Sequence, residues 1–402
     1  MMPLLWRDRI TVGLGLPSLV VERMEEDVKT VQVWAHSRQS VACCMGCGRV
    51  TDRIHSQWWM VVRDMPISGK ATYLHIHKRR FRCSNGCRPF LEDIPGMARY
   101  QRQTLRYQDH LAASCQSSAV SVAQRKEAIG YKTLDRIYYS RASAKADDLK
   151  HQTLPRIMGV DEFSGRRRVR MHMAITVLDE KPRLWDVLPT KECNAFLDFF
   201  AQYSKEDRSQ VYAIVHDMDM GINSWTKTMF PRAIHVVDPF HLVRCLLKHL
   251  ERSRKATYAR CSNYKIKEQI RKAYWLIRKR QKHLTPDQKV KLDEVLALST
   301  RLREAYEWKE VFMTWYQTPQ RKSEAESGLY PLLDWLRQIP HLKRFGYTLQ
   351  KWQEPILNHF TLPVSNGFTE GMNNKIKVTK RLGYGQRNWD RFRTRILNEC
   401  AL

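Results

Sequence analysis

Arg156-Ile157-Met158-Gly159-Val160-Asp161 is a short apolar run that ends on a carboxylate. The pattern recurs twice. Val211-Tyr212-Ala213-Ile214-Val215-His216 runs into Asp217, and Ala233-Ile234-His235-Val236-Val237 runs into Asp238. Apolar runs of this length read as buried strands. Val169 to Leu178 and Leu184 to Leu188 read as two more. From Arg156 to about Lys248 such runs alternate with helical ones, which is the signature of an α/β domain. Open α/β sheets place their chemistry beyond the carboxyl ends of the strands. If the strands that end on Asp161 and Asp217 are neighbours, the two side chains converge. Converging carboxylates suit hard divalent cations. Two such ions about 4 Å apart can activate an attacking oxygen and stabilise a leaving one. Any one of these aspartates alone reads better as a helix cap or turn residue. Asp179, Asp198 and Asp219 fall in that class, Asp219 lying only two positions beyond Asp217. Asp238 precedes Pro239, an ordinary start for a helix. Asp238 and His241 are therefore read as structural, in support of a nearby site.

A third acid lies far downstream, in Ser365-Asn366-Gly367-Phe368-Thr369-Glu370-Gly371-Met372-Asn373-Asn374-Lys375-Ile376-Lys377. Ser365 or Asn366 can cap a helix here. Helical spacing then puts Glu370, Asn373, Asn374, Lys377 and Arg381 along one face. A carboxylate followed by amides and cations can hold a metal at one end and a phosphate backbone at the other. Lys375, Lys377 and Arg381 are the candidate DNA contacts on this segment. Between the second and third acids, from about Glu251 to Lys343, the pattern is helical and charged. Residues 251–283 carry twelve Lys or Arg against Glu251 and Glu268. Such a run is either a solvated face or a phosphate-binding one.

Upstream, Cys44-Met45-Gly46-Cys47 and Cys83-Ser84-Asn85-Gly86-Cys87 are two close-spaced cysteine pairs in one short basic segment. A tight turn brings two thiolates to one ion, and two such turns close a tetrahedral structural zinc site. Cys44, Cys47, Cys83 and Cys87 are the expected ligands of one Zn²⁺. Cys43 offers an alternative register, and His75 or His77 could replace a thiolate. Tyr73 to His77 alternates like a strand leading into the second knuckle, as does Val31 to Trp34 nearer the N-terminus. The scattered Cys115, Cys193, Cys245, Cys261 and Cys400 read as ordinary buried residues.

Ser121 to Gly130 reads as a helix closed by glycine, Tyr131-Lys132 as a turn, and Thr133 to Arg141 as a second helix with Thr133 as its N-cap. This is helix-turn-helix grammar, in which Thr133, Arg136 and Arg141 would face DNA. A plain basic helical linker fits the same residues.

The whole chain has 402 residues, 43% of them hydrophobic, and a net charge of +28. The length suggests two or three domains, and the apolar content excludes wholesale disorder. The charge calls for a polyanionic partner, nucleic acid or an anionic membrane. No run of about 18 apolar residues is present to span a membrane. Arg7, Asp8 and Arg9 break the apolar N-terminus, which makes a poor export signal. The expected compartment is the cytoplasm.

The shared motifs resemble those of bacterial insertion-sequence transposases of the DDE type, specifically the ISL-three family. The resemblance spans nearly the whole chain. It rests on the two cysteine knuckles, Gly159-Val160-Asp161-Glu162-Phe163, His216-Asp217-Met218, Phe230 to Ala233, Asp238-Pro239-Phe240-His241, the segment 365–377, and the run from Arg381 to Trp389. The proline common inside the first knuckle is Met45 here. The resemblance implies a zinc-binding N-terminal domain (1–98), a helix-turn-helix region (99–150) and an α/β, RNase H-like catalytic core. That core would comprise 151–250 and 363–402, interrupted by a helical insertion at 251–362. Asp161, Asp217 and Glu370 would form the catalytic triad and hold two Mg²⁺ or Mn²⁺. The implied partner is double-stranded DNA, both transposon ends and target, bound by a homodimer. A silent zinc-containing repressor and a plain nuclease are the other functions this architecture could serve.

Overall fold

The computed structural model describes residues 14–150, 153–166, 170–179, 181–384, 386 and 388–400. The N-terminal segment before Leu14, the first residue of the strand expected from Val169, and Gly385 and Arg387 of the last shared motif lie outside them. The chain divides into two compact units, Met1–Lys145 and Ala146–Leu402.

The first unit opens with β1 (Leu19–Glu26) and β2 (Thr30–Ser37), followed by a small ribbon of β3 (Ala42–Cys43) and β4 (Val50–Thr51). The long hairpin β5 (Ile54–Ile67) and β6 (Lys70–Phe81) and the short β7 (Phe90–Leu91) follow. Ser68 and Gly69, both with positive φ, turn that hairpin, as two-residue hairpin loops require. The sheet runs β1-β2-β6-β5, with β2 and β6 parallel and the other pairs in that order antiparallel. Alternation sends Val31, Val33, Ala35, Val62, Leu74 and Ile76 into one core. Each such burial contributes about 1.5–3 kcal/mol for the larger aliphatic side chains.

Three helices follow, α1 (Leu105–Ser114), α2 (Val120–Glu127) and α3 (Tyr131–Lys150). Tyr107, Leu111, Val120, Leu134, Ile137 and Tyr138 form their shared core. Two sequence expectations are corrected here. The left-handed residue that ends α2 is Ala128 (φ 48), not Gly130. Gly130 instead starts α3, its carbonyl accepting from the amides of Thr133 and Leu134, both at 3.0 Å. Thr133 therefore sits inside the first turn and is not the N-cap. Arg141 pairs with Asp109 of α1 at 2.8 Å, which commits its charge to the helical cluster.

The second unit is built on β8 (Ile157–Arg166), β9 (Arg170–Val177), β10 (Arg183–Leu188), β11 (Ala213–His216) and β12 (Ile234–Val237). Their order is β10-β9-β8-β11-β12. β9 runs antiparallel to both its neighbours, β10 and β8, and β8, β11 and β12 are parallel. Helices α4 (Cys193–Ala201), α5 (Lys205–Ser209) and α6 (Met220–Met229) lie in the connections. On one face Met158, Val160, Met173 and Ile175 pack with Phe196, Phe200 and Ile222. On the other, Phe163, Ala174 and Val187 pack with Met372, Ile376, Phe392 and Ile396. The latter four come from α15 (Gly367–Leu382) and α16 (Trp389–Cys400).

Between β12 and α15 the chain is helical: α7 (Pro239–Arg260), α8 (Tyr264–Lys272), α9 (Tyr274–Arg278), α10 (Pro286–Ala297), α11 (Thr300–Gln317), α12 (Lys322–Arg337), α13 (Lys343–Lys351) and α14 (Gln353–Leu357). These helices enclose their own core around Trp308, Phe312 and Phe345. Before α15, Asn358 returns to β12 and donates to the carbonyl of His235 at 2.8 Å.

Asp161 was expected just past a strand end, yet β8 continues to Arg166. The strand persists because β9 pairs with it as far as Arg166. The parallel ladder with β11 stops at the rung Val160–His216. Asp161 is thus the first residue beyond the parallel part of the sheet.

Candidate catalytic cleft and zinc site

Alternation along β8 puts Gly159, Asp161 and Phe163 on the face that α15 covers. A β-carbon at Gly159 would lie 2.4 Å from Thr369 Oγ1, 2.5 Å from Thr176 Oγ1 and 2.6 Å from Asn366 Oδ1. Only glycine lets the start of α15 approach this closely. The contact is polar and satisfied: Thr369 and Thr176 hydroxyls are 2.6 Å apart, and Asn366 donates to the carbonyl of Val160 at 3.1 Å. Asn366, foreseen as a capping residue, makes no side-chain cap; it ties α15 to β8 instead.

This packing brings Asp161, Asp217 and Glu370 to the wall of one cleft of about 590 Å³. Asp161 Oδ1 accepts from the Glu162 amide at 2.7 Å and its Oδ2 from Asn373 Nδ2 at 2.7 Å. Burial, then the nearby Asp217 carboxylate, raise its pKa to about 6, against the pull of the Glu162 amide, His241 and Asn373. Asp217 follows the end of β11. Its buried Oδ1 lies 2.8 Å from His241 Nδ1 but makes no hydrogen bond of good geometry. The imidazole proton goes to Asp238 Oδ2 at 2.9 Å. Burial lowers the pKa of His241, but the bonds and charges of Asp217 and Asp238 prevail and hold it up at about 10. His241 is therefore an imidazolium wedged between two carboxylates.

Asp238 occupies the N-cap position of α7, but its side chain does not cap that helix. It accepts from His241 and, at 3.1 Å, from the Asn366 amide. Asp219 is the true cap, of α6, accepting from Gly221 and Ile222. Glu370 is exposed in the first turn of α15. Lys377 reaches the cleft, whereas Asn374, which accepts from Lys377 at 3.2 Å, and the exposed Lys375 and Arg381 do not line it. Sequence reasoning missed Arg244 and Lys248 of α7, which also line the cleft. Their one-turn spacing after His241 was the available signal.

Asp161 and Asp217, placed so that the charge of the second opposes ionisation of the first, fit a divalent cation. Ligand atoms of Asp217, Asp238 and His241 also lie within 4.8 Å of one another, but His241 is bound there as a cation, so that group is an ion-paired cluster beside the carboxylates.

In the first unit, the sulfurs of Cys44, Cys47, Cys83 and Cys87 also lie within 4.8 Å of one another. Cys47 Sγ and Cys83 Sγ are 3.4 Å apart, near the roughly 3.8 Å edge of a tetrahedron with Zn–S of about 2.3 Å. Gly48 and Gly86 take positive φ to close the two knuckles. The Asn85 amide, aimed at Cys83 Sγ, brings that thiol down to about 7. Cys87, facing Cys47 and Cys83, is pushed up to about 12. Four thiols that cannot all ionise together fit a bound cation. Cys43 bonds instead to the Gly48 carbonyl, His75 to Gln32, and His77 lies against the Trp59 ring at 4.9 Å, so the alternative ligands drop out.

The profile of a transposase family, the DDE-type ISL-three group, matches residues 158–396. The chain belongs to this transposase family. A second profile, the zinc-finger of the IS204, IS1001, IS1096 and IS1165 transposases, matches residues 40–87. That span holds all four clustered cysteines, so this transposase carries a zinc ribbon ahead of its DDE domain. The transposase for insertion sequence element IS1001 of Bordetella parapertussis is 29% identical over 386 residues, covering 92% of each chain. Among the described residues of this transposase, no helix is long and apolar enough to cross a membrane.

Proposed function

We propose that the chain binds the terminal inverted repeats of its own insertion sequence, cuts the DNA at those ends, and joins a 3′-hydroxyl to target DNA in a reaction dependent on Mg²⁺ or Mn²⁺. The observation that carries this is the meeting of Asp161, Asp217 and Glu370, from three distant segments, on one cleft rimmed by Arg244, Lys248 and Lys377. Bound divalent ions would activate the attacking oxygen and stabilise the leaving one.

Each side chain has a task of its own. Asp161, Asp217 and Glu370 supply the carboxylate oxygens. Asn373 and the Glu162 amide fix the orientation of Asp161. His241, held by Asp238, balances the charge behind Asp217. The cations at the rim receive DNA phosphates, which positions the backbone without reading sequence.

The sheet order, three antiparallel strands and then two parallel ones, supports an RNase H-like reading of 151–250 with 363–402, the helices of 251–362 being an insertion. Helices α1 to α3 support a helix-turn-helix reading of 99–150, with Arg136 exposed on the second helix of the pair. With the zinc-binding region 1–98 they would recognise the ends. A strand-transfer assay with pre-cleaved ends tests the whole. Joined product in Mg²⁺ that vanishes with Asp161→Asn supports it. Cleavage without joining would make the chain a nuclease, and end binding without either would make it a repressor.

A further inference from the structure

The two edges of the N-terminal sheet are built differently. Edge β1 reads Leu-Val-Val-Glu-Arg-Met-Glu-Glu, with a bulge between Val21 and Arg23. Charges and bulges are the usual protection of an exposed edge against pairing. Edge β5 has register shifts near its ends, between Ile54 and Ser56 and between Asp64 and Ile67, but runs regularly from Ser56 to Asp64, and it has no charged residue from Ile54 to Val62 in a chain of net charge +28. Its first eight residues also lack the alternation of a half-buried strand. Trp58, Trp59 and Val61 are 38%, 50% and 45% exposed.

The backbone of this edge is open as well. Arg63 turns its amide and carbonyl outward, to Arg102 O at 2.9 Å and Thr104 N at 3.0 Å. In an antiparallel ladder every second residue faces the same way. Val61, Trp59 and Gln57 therefore point their amides and carbonyls away from β6, and none of these groups meets a described residue. Unpaired strand groups flanked by tryptophans seek another strand. The cations opposite on β6 are engaged, Lys78 by burial, Arg79 by Glu92 and Arg80 over the Trp58 ring at 5.9 Å; the uncharged strand beside them disfavours a nucleic acid and lowers the repulsion between two cationic chains.

We propose that β5 pairs antiparallel with β5 of a second copy of this chain, joining two N-terminal sheets across a two-fold axis at Trp59. Such an interface is self-complementary, as two-fold contacts must be. Gln57 and Val61 of one copy face Val61 and Gln57 of the other, and Trp59 faces its own mate. The inference concerns the N-terminal sheet alone and stands independently of the proposed catalysis.

Sedimentation of the full-length, zinc-loaded chain without DNA tests it. The wild type should dimerise with rising concentration. Trp59→Lys places a charge on the axis. Val61→Pro removes only an outward amide, at an edge position that tolerates proline. Each should raise the dimer dissociation constant by roughly tenfold or more, with zinc content and far-UV circular dichroism unchanged. Arg23→Ala, on the protected edge, should leave it unchanged. Hydrogen exchange on the wild type gives a variant-free check: the amides of Gln57, Trp59 and Val61 should slow as dimer forms. A wild type that stays monomeric at every concentration overturns the proposal. So do variants that dimerise normally, or exposed amides that never gain protection. Variants that stay dimeric but lose DNA affinity would assign the edge to nucleic acid.

Discussion

Asn373 Nδ2 donates to Asp161 Oδ2 at 2.7 Å, across 212 residues of sequence. The same amide reaches the Glu162 carbonyl at 3.2 Å. Asn373 lies one turn beyond Glu370 on α15, so one side chain registers the helix of the third acid on the strand of the first. Asn373→Ala should lower cleavage by about 10–100-fold, in the range seen when partners of metal ligands are lost. The measurement is single-turnover cleavage across metal concentration, where a need for more metal to reach half-maximal rate distinguishes loss of this bond from general instability.

Asp161→Asn, Asp217→Asn and Glu370→Gln should each remove cleavage and strand transfer while end binding persists, because an amide lacks the charge that holds the ions. Asp219→Asn should keep substantial activity and cost about 1 kcal/mol or less of stability, since asparagine also caps helices. An inactive Asp219→Asn beside an active Asp217→Asn would reverse the assignment of the second acid.

Asp161 also carries a pH signature. Its folded pKa of about 6 lies above the ordinary 3.8, so folding favours its proton. The metal-free protein should therefore lose stability as pH rises between 3.8 and about 6. Above that window Asp161→Asn should stabilise the metal-free chain, on the order of 1–2 kcal/mol. Thermal denaturation of the zinc-loaded protein without added Mg²⁺ or Mn²⁺, which leaves only the cleft metal-free, at pH 5 and 7.5, reads this directly. A variant no more stable than wild type at the higher pH would show that the carboxylate is not under strain.

Cys83→Ser or exhaustive chelation should unfold the ribbon, because the four thiolates supply much of its folding energy with zinc bound. Metal analysis should find about one zinc per chain in the wild type. A folded, zinc-free protein with intact end binding would count decisively against a structural role.

The cationic stretch 251–283 should divide by function. Arg254 bonds Glu251 and the Ile270 carbonyl, and Arg280 bonds Glu310, Thr314 and Gln317. Replacing either by Ala should lower stability. Neutralising the exposed Arg252, Arg260, Lys265 and Lys279 should instead flatten the salt dependence of DNA affinity, by roughly one unit of slope per lost phosphate contact. An unchanged slope would leave these residues to solubility.

The strands of the second unit and the cysteine knuckles were legible because their signals are local. Alternation, apolar runs and close pair spacing need no knowledge of distant partners. Thr133 was misplaced because helix starts are decided by which carbonyl is free, and Gly130 supplied one that a propensity rule assigns to a helix end. The length of β8 was hidden for a different reason: Asp161 looks like a boundary until β9 provides a partner beyond it. Asn366 was seen only as a cap, since its bonds to Val160 and Asp238 span more than a hundred residues. The rim residues Arg244 and Lys248 needed the orientation of α7, which Asp238 and His241 set.

Asn358, by returning to the His235 carbonyl, makes the long helical excursion leave and rejoin the same strand. Closing a flexible loop grows dearer only slowly with its length. An excursion tethered at both feet can therefore lengthen, shrink or be exchanged over generations without moving the acids on either side of it. For the laboratory this marks the outer turns of that region, away from α7 and Asn358, as the place to splice in a fluorescent or affinity module.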